Sequence, residues 1–269
     1  MRNAISRRAH VLTVLNLKGG VGKTHMTWLV ASVCQEQSRR ILLIDTDTQG
    51  NLSNSFMGNG PRTPGVEQLI DPTQEPEIER LIRPTEFSSI DLIPASAAVA
   101  AFDLSRQADW EAFDLHRSFV DPVEAIRDQY DFIVFDCPPR LSLVSFAALV
   151  ASDAVIVPLE AADWGAQGIR QVAQAVDYVR SHHHPALRLL GYVLSRYKAG
   201  RTFQRTYEAE LRSLFGAAVF DTMIPDLAGF ERAVTLRRPI TEREPRSRGA
   251  AVAREFFAEV VRRLEAGGR

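Results

Sequence analysis

The apolar run Val11-Leu12-Thr13-Val14-Leu15 breaks directly into Asn16-Leu17-Lys18-Gly19-Gly20-Val21-Gly22-Lys23-Thr24. Few features restrict a chain more. Without a Cβ, Gly19, Gly20 and Gly22 let the backbone curl and aim successive N–H groups at one point. A helix opening near Lys23 adds its positive dipole end to the same point. The pattern therefore predicts strand, loop and helix arranged around a phosphate. Lys23 brings a point charge on a flexible stem, suited to β and γ phosphates, and the Thr24 hydroxyl suits Mg²⁺. The common phosphate-loop pattern begins with glycine. Here Leu17 holds that place, and a second lysine, Lys18, follows it.

A phosphate loop needs carboxylates at neighbouring strand ends to hold metal and place water. Two apolar runs supply them. Ile41-Leu42-Leu43-Ile44 ends in Asp45-Thr46-Asp47, and Phe132-Ile133-Val134-Phe135 ends in Asp136-Cys137-Pro138-Pro139. Continuous apolar strands suit a parallel sheet covered on both faces, with ligands at its carboxyl edge. Apolar runs and helix-like segments alternate along the chain, the pattern of βαβ units. Strands are predicted at 11–16, 41–45, 90–94, 132–136, 154–159, 189–195 and 218–224. Helices are predicted at 23–37, 114–129, 142–151, 165–181, 203–215 and 250–265. Prolines 61, 64, 72, 76 and 84 forbid one long helix over 58–89, so short helices and loops are expected there.

Lys18-Gly19-Gly20-Val21-Gly22-Lys23-Thr24 resembles the deviant Walker A loop of the ParA/MinD ATPases. The likeness runs from residue 11 to 265, through Ile156-Val157-Pro158, Gln167-Gly168-Ile169, Thr222-Met223-Ile224-Pro225 and Ser247-Arg248-Gly249-Ala250. It implies an α/β fold: a doubly wound, mostly parallel sheet flanked by helices. It also implies one P-loop ATPase domain over 1–269, with no separate N-terminal DNA-binding domain. The implied ligands are ATP and Mg²⁺. In the family the early lysine reaches across a homodimer to the partner's nucleotide, which makes Lys18 that residue. Asp47 is implied to orient the attacking water, Asp45 to support metal and loop, and Asp136 to contact Mg²⁺ as the Walker B aspartate. His25 stands where a second threonine usually touches the α-phosphate; imidazole can donate a hydrogen bond but is larger and titratable. Thr48 stands where proline is common. Pro225 and Asp226 match the loop that holds adenine, although arginine commonly follows that proline.

The resemblance further implies a cycle. ATP closes a dimer, the dimer binds a surface, and slow hydrolysis, stimulated by a ParB-like or cargo-adaptor protein, releases it. The 32 basic and 33 acidic residues give a formal charge of −1, so only a local patch could favour DNA. Arg201 and Arg205 follow a predicted strand and open a helix, and Arg248 belongs to a second run with Arg237, Arg238, Arg243 and Arg246. Such residues neutralise phosphates without reading bases. The final helix carries Val252, Phe256, Phe257, Val260, Val261 and Leu264 at helical spacing, a core-facing stripe by default and a membrane face only in the rival reading. The expected product is a cytoplasmic, nucleoid-associated switch that segregates a plasmid or chromosome or positions a cargo. The rivals are a MinD-like membrane regulator and a metal-cluster carrier.

The chain has three lysines, Lys18, Lys23 and Lys198, and two of them sit in the loop, where a guanidinium would substitute poorly. Cys34 and Cys137 fit neither a disulfide framework nor a zinc site and are expected as small buried residues. His182-His183-His184 before Pro185 is expected as a solvated helix end. No stretch of eighteen apolar residues occurs, and the basic start at 1–8 runs into the first strand rather than a leader's apolar core.

Overall fold

The computed structural model describes residues 8–58, 60–75, 77–103, 114–161 and 166–267. Most of the basic start at 1–8 therefore lies outside the described residues. Seven strands form one sheet in the order β3-β4-β2-β5-β1-β6-β7. They are β1 (His10–Val14), β2 (Ile41–Asp45), β3 (Arg83–Pro84), β4 (Ile90–Ile93), β5 (Phe132–Asp136), β6 (Ala154–Glu160) and β7 (Arg188–Ser195). Every pairing is parallel except the short β3 edge on β4. Parallel strands need crossover segments, and here helices supply most of them.

The helices are α1 (Lys23–Glu36), α2 (Asn51–Met57), α3 (Ala100–Asp103), α4 (Val120–Ile126), α5 (Leu143–Ala151), α6 (Ala166–His182), α7 (Thr202–Phe215), α8 (Ala228–Thr235), α9 (Ile240–Arg243) and α10 (Arg248–Ala266). Strand residues alternate between two cores. Leu12, Val14, Phe132 and Val134 join the core under α1 and α10. Val11, Ile133 and Phe135 join the one under α5 and α6. Both faces of the sheet are thus covered, which is why these strands read as unbroken apolar runs. Each fully buried large side chain in them contributes about 1.5–3 kcal/mol.

Register places the chemistry. Val14 on β1 and Asp45 on β2 both pair with Asp136 on β5. The two acidic strand ends are therefore level with each other and with the start of the glycine loop.

Two expectations need correction. Residues 218–224 run beside β7 but form no strand, only an isolated bridge from Val219 to Tyr192. Phe220 and Ile224 still donate to the Tyr192 and Leu194 carbonyls of β7, each at 2.8 Å, but the amides between them are engaged by the last helix. Glu259 accepts from the Asp221 and Thr222 amides at 2.9 and 2.8 Å, and Arg263 donates to the Ala217 and Val219 carbonyls at 2.8 and 2.9 Å. The helix expected over 114–129 is broken into a 3-10 turn at 115–117, α4, and another 3-10 turn at 127–129. Pro122 lies in the first turn of α4, where its missing N–H costs least. Helices α2, α3, α8 and α9 were not anticipated. Among its described residues the 58–89 region does hold only short 3-10 turns, at 66–69 and 78–80, and β3.

Candidate phosphate-binding site

The loop after β1 is held open by backbone torsion and side-chain ties. Gly20 and Gly22 have φ of 78° and 88°, the left-handed region that glycine enters at no steric cost. A Cβ on Gly22 would lie 3.3 Å from Ser195 Cβ, so the close approach of β7 also requires glycine. Asn16 donates to the Pro158 carbonyl at 2.6 Å and accepts from the Lys18 amide at 2.9 Å. Ser195 Oγ donates to the Val21 carbonyl at 2.7 Å. These ties fasten the loop to the ends of β6 and β7. Lys23 is buried, and its Nζ donates to the Lys18 carbonyl at 2.9 Å, closing the loop on itself. Burial lowers the Lys23 pKa, opposed first by the nearby Asp136. Lys18 points to the exposed side.

The carboxylates divide their work. Asp45 is fully buried, and its Oδ2 accepts from Ser53 N at 2.8 Å and Ser53 Oγ at 2.7 Å. Its Oδ1 accepts from Asp47 N at 3.1 Å. Burial pushes its carboxyl up to about 6 despite those bonds. Both oxygens therefore clamp the turn into α2, the loop support expected of Asp45. Ser53 Oγ also accepts from Ala95 N at 3.0 Å, which extends the clamp to the chain after β4. Asp136 is the opposite case. It is 1% exposed, and neither oxygen completes a hydrogen bond within the protein. Burial raises its pKa well above the usual range, and the Asp45 carboxylate adds to this, while Thr24 and Lys23 pull the other way. Asp47 sits at the cleft wall, where its Oδ1 accepts from the Gln49 amide at 3.1 Å.

A cleft of about 670 Å³ opens over the loop, lined by Gly19, Lys23, Thr24 and Asp47 on one side and by Asn54 of α2 and Arg237 after α8 on others. A second lobe of about 420 Å³ shares Gly20, Gly22, His25, Val234 and Thr235 with it and continues to Pro225, Asp226 and Phe230. His25 stands at the junction. Its ring meets Phe230 edge-on at 4.6 Å, and its Nε2 is buried with no partner in the protein. Burial brings its pKa down to about 4, so it is neutral at physiological pH. Trp28 Nε1, on the same cleft, is likewise buried without a partner. Asp226 is ion-paired to Lys198 at 2.7 Å, which places the third lysine at the rim of the second lobe. The Lys198 hydrogen bond, against a small effect of burial, lowers the Asp226 pKa.

Arg201 caps α7 and Arg205 lies in its first turn; both are exposed. Arg248 opens α10 and is exposed. The remaining arginines of its run do not form one patch. Arg238 pairs with Glu86 at 3.1 Å and covers the Phe87 ring. Arg243 lies 3.9 Å from Glu244. Arg237 lines the cleft instead. Cys34 and Cys137 are buried and free, and burial pushes the Cys137 thiol up to about 12. His182 donates to the Tyr178 carbonyl at 3.0 Å and stacks on its ring. Among the described residues no cluster of side chains is arranged to hold a metal by itself, and no helix is long and apolar enough to cross a membrane.

Sequence reasoning found the loop and its acidic neighbours but missed Asn16, Ser53, Ser195 and Trp28, and it assigned Arg237 to a DNA-facing run rather than to the cleft. The two serines and Asn16 act through position alone, and nothing local in their sequence marks them.

Three comparisons bear on this geometry. Residues 9–189 match the AAA domain family. The chain is 31% identical over 259 residues to the chromosome-partitioning ATPase Soj of Thermus thermophilus, covering 94% of this chain and 96% of that protein. It is 30% identical over 257 residues to the chromosome partitioning protein ParA of Caulobacter vibrioides, covering 94% of each. Cobyrinic acid a,c-diamide synthase from Mycobacterium smegmatis, solved with bound ADP and magnesium, superposes with a TM-score of 0.79 at 25% identity, covering 96% of both chains.

Proposed function

The chain belongs to the ParA/Soj family of ATPases, and from that premise we propose that it is a Mg²⁺-dependent ATP hydrolase whose ATP-bound homodimer holds DNA without reading its sequence. The observation that carries the catalytic half is Asp136. A fully buried carboxylate with two unpartnered oxygens, beside a threonine hydroxyl and a phosphate loop, is costly until a cation arrives. Thr24 and Asp136 would hold Mg²⁺, directly and through water. The metal, when bound, neutralises charge developing on the terminal phosphates.

The chain's own groups do the rest. The amides of Gly19 to Lys23 and the start of α1 cradle the phosphates. Lys23 gives up its bond to the Lys18 carbonyl and turns its ammonium to the β and γ phosphates. Asp47, fixed at the cleft wall by the Gln49 amide, orients the attacking water. Lys18, exposed on the outer side of the loop, completes the partner subunit's site. His25, Pro225 and Asp226 border the lobe that takes the base. Turnover is slow and is stimulated by a ParB-like or cargo-adaptor protein.

For the surface, Arg201 and Arg205 stand at the amino end of α7, where the helix dipole adds to their charge. Arg248 contributes from the start of α10. The apolar face of α10 supports DNA over lipid, because Val252, Phe256, Phe257, Val260 and Leu264 are spent on the core. The deciding experiment is a gel shift on random-sequence DNA with ATP or ADP. The wild type shifts DNA with ATP only. Arg201→Ala weakens the shift equally on all sequences and lowers the salt slope by about one. An ATP-loaded dimer that ignores DNA but pellets with anionic vesicles would overturn the proposed surface.

A further inference from the structure

Arg237 is the observation that the loop and its carboxylates leave unused. It follows α8 in the left-handed backbone region, at φ 53°, where its amide donates to the Val234 carbonyl at 3.0 Å. Glycine normally fills this position after a helix, because a side chain there crowds the backbone. The arginine is exposed at the rim of the cleft. It lines the phosphate cleft and lies over Gly58, where a Cβ would fall 2.4 Å from its Nη1. Gly58 caps the carboxyl end of α2, so the guanidinium spans the mouth from one wall to the other. Its neighbours are neutralised: Arg232 pairs with Glu244 and Arg238 with Glu86. Among the described residues Arg237 makes no ion pair or hydrogen bond through its side chain.

A left-handed backbone that brings an unpaired fork of donors to the rim of a phosphate cleft suits recognition of an anion there. We propose that Arg237 is a ligand for the terminal phosphates of the bound nucleotide, supplied by the same subunit, and that it favours the triphosphate over the diphosphate. This rests on the ATP site proposed above. The loop lysines approach the phosphates from the β1 side, and Arg237 approaches from the α2–α8 side. On this proposal the γ-phosphate would meet that wall, and its loss on hydrolysis would remove the contact.

The test is titration of the wild type, Arg237→Gln and Arg237→Gly with Mg²⁺ plus either a non-hydrolysable ATP analogue or ADP, with thermal unfolding of each free protein alongside. Losing one charge-assisted hydrogen bond weakens the triphosphate analogue by at least about tenfold in both variants, with ADP changed by less than about threefold. Arg237→Gly also unfolds no lower than the wild type, because glycine accepts the left-handed backbone. Affinity for the analogue within about twofold of wild type in either variant overturns the inference, as does a lowered melting temperature with an unchanged ATP-to-ADP ratio, the signature of a purely structural clasp. A wild type that binds neither nucleotide overturns the underlying site instead.

Discussion

Two ionisable side chains in the cleft, Asp136 and His25, are held in unusual states, each for a definite reason. Asp136 is buried, and neither of its oxygens completes a hydrogen bond within the protein, which makes its charge costly. Asp136→Asn removes that cost and should raise the melting temperature of the nucleotide-free protein, at about 2–4 °C for each kcal/mol relieved in a chain of this size. The same substitution should abolish the extra stabilisation by Mg²⁺ with ATP. Calorimetry with and without the ligands reads both effects, and a variant that melts below wild type in the free state would contradict the account. His25 behaves with the opposite sign. Its folded pKa of about 4 lies below the ordinary 6.5, so the unfolded chain takes up the proton first. Stability from this group is complete above pH 6.5 and is lost as pH falls toward 4. Replacing it by glutamine should flatten the acid limb by roughly 1–3 kcal/mol between those values, measured by urea unfolding at several pH values.

The elements show how far a sequence signal reaches. The segment 218–224 has the apolar pattern of an edge strand, yet it is held by the last helix. Glu259 is 1% exposed and receives two of its amides and Arg263. Burial alone would raise its carboxyl, but the Thr222 and Asp221 amides and the guanidinium bring it below the usual range. Its contribution is therefore present above pH 4.5 and is lost as acid protonates it. Glu259→Ala leaves Arg263 and two amides uncompensated and should cost about 3–5 kcal/mol in denaturant unfolding, with the ATPase site itself untouched. Nothing near residue 218 announces a partner some forty positions later, so local alternation misled. Helix α2 was equally hidden. Asn51-Leu52-Ser53-Asn54-Ser55 has poor helix propensity, and its start is secured by the Asp45 carboxylate instead. The loop, β1, β2 and β5 were legible because each is a local rule: a buried parallel strand must be apolar throughout, and it must end in polar residues where a ligand sits.

For the whole molecule, the sheet order matters most. β1 lies between β5 and β6, with β2 beyond β5, so the loop and both acidic ends share one edge of one sheet. That edge holds Lys18 outward, on the face a second copy would meet. The proposed closure can be tested in an Asp47→Ala background that retains ATP. Light scattering should find a dimer with ATP and Mg²⁺. Adding Lys18→Ala should return it to a monomer, or weaken association by the 2–5 kcal/mol typical of a lost buried charge contact. Persistence of the dimer would leave that lysine without its assigned purpose.

The serine at position 53 has a mechanical corollary. It grips the end of β2 and the chain beyond β4 together, so the first turn of α2 is bolted down, while Phe56 near its far end is buried against Phe87. A short rod pinned at both ends shifts only as a whole, so whatever moves its first turn also moves the wall of the cleft that Asn54 and Ser55 line.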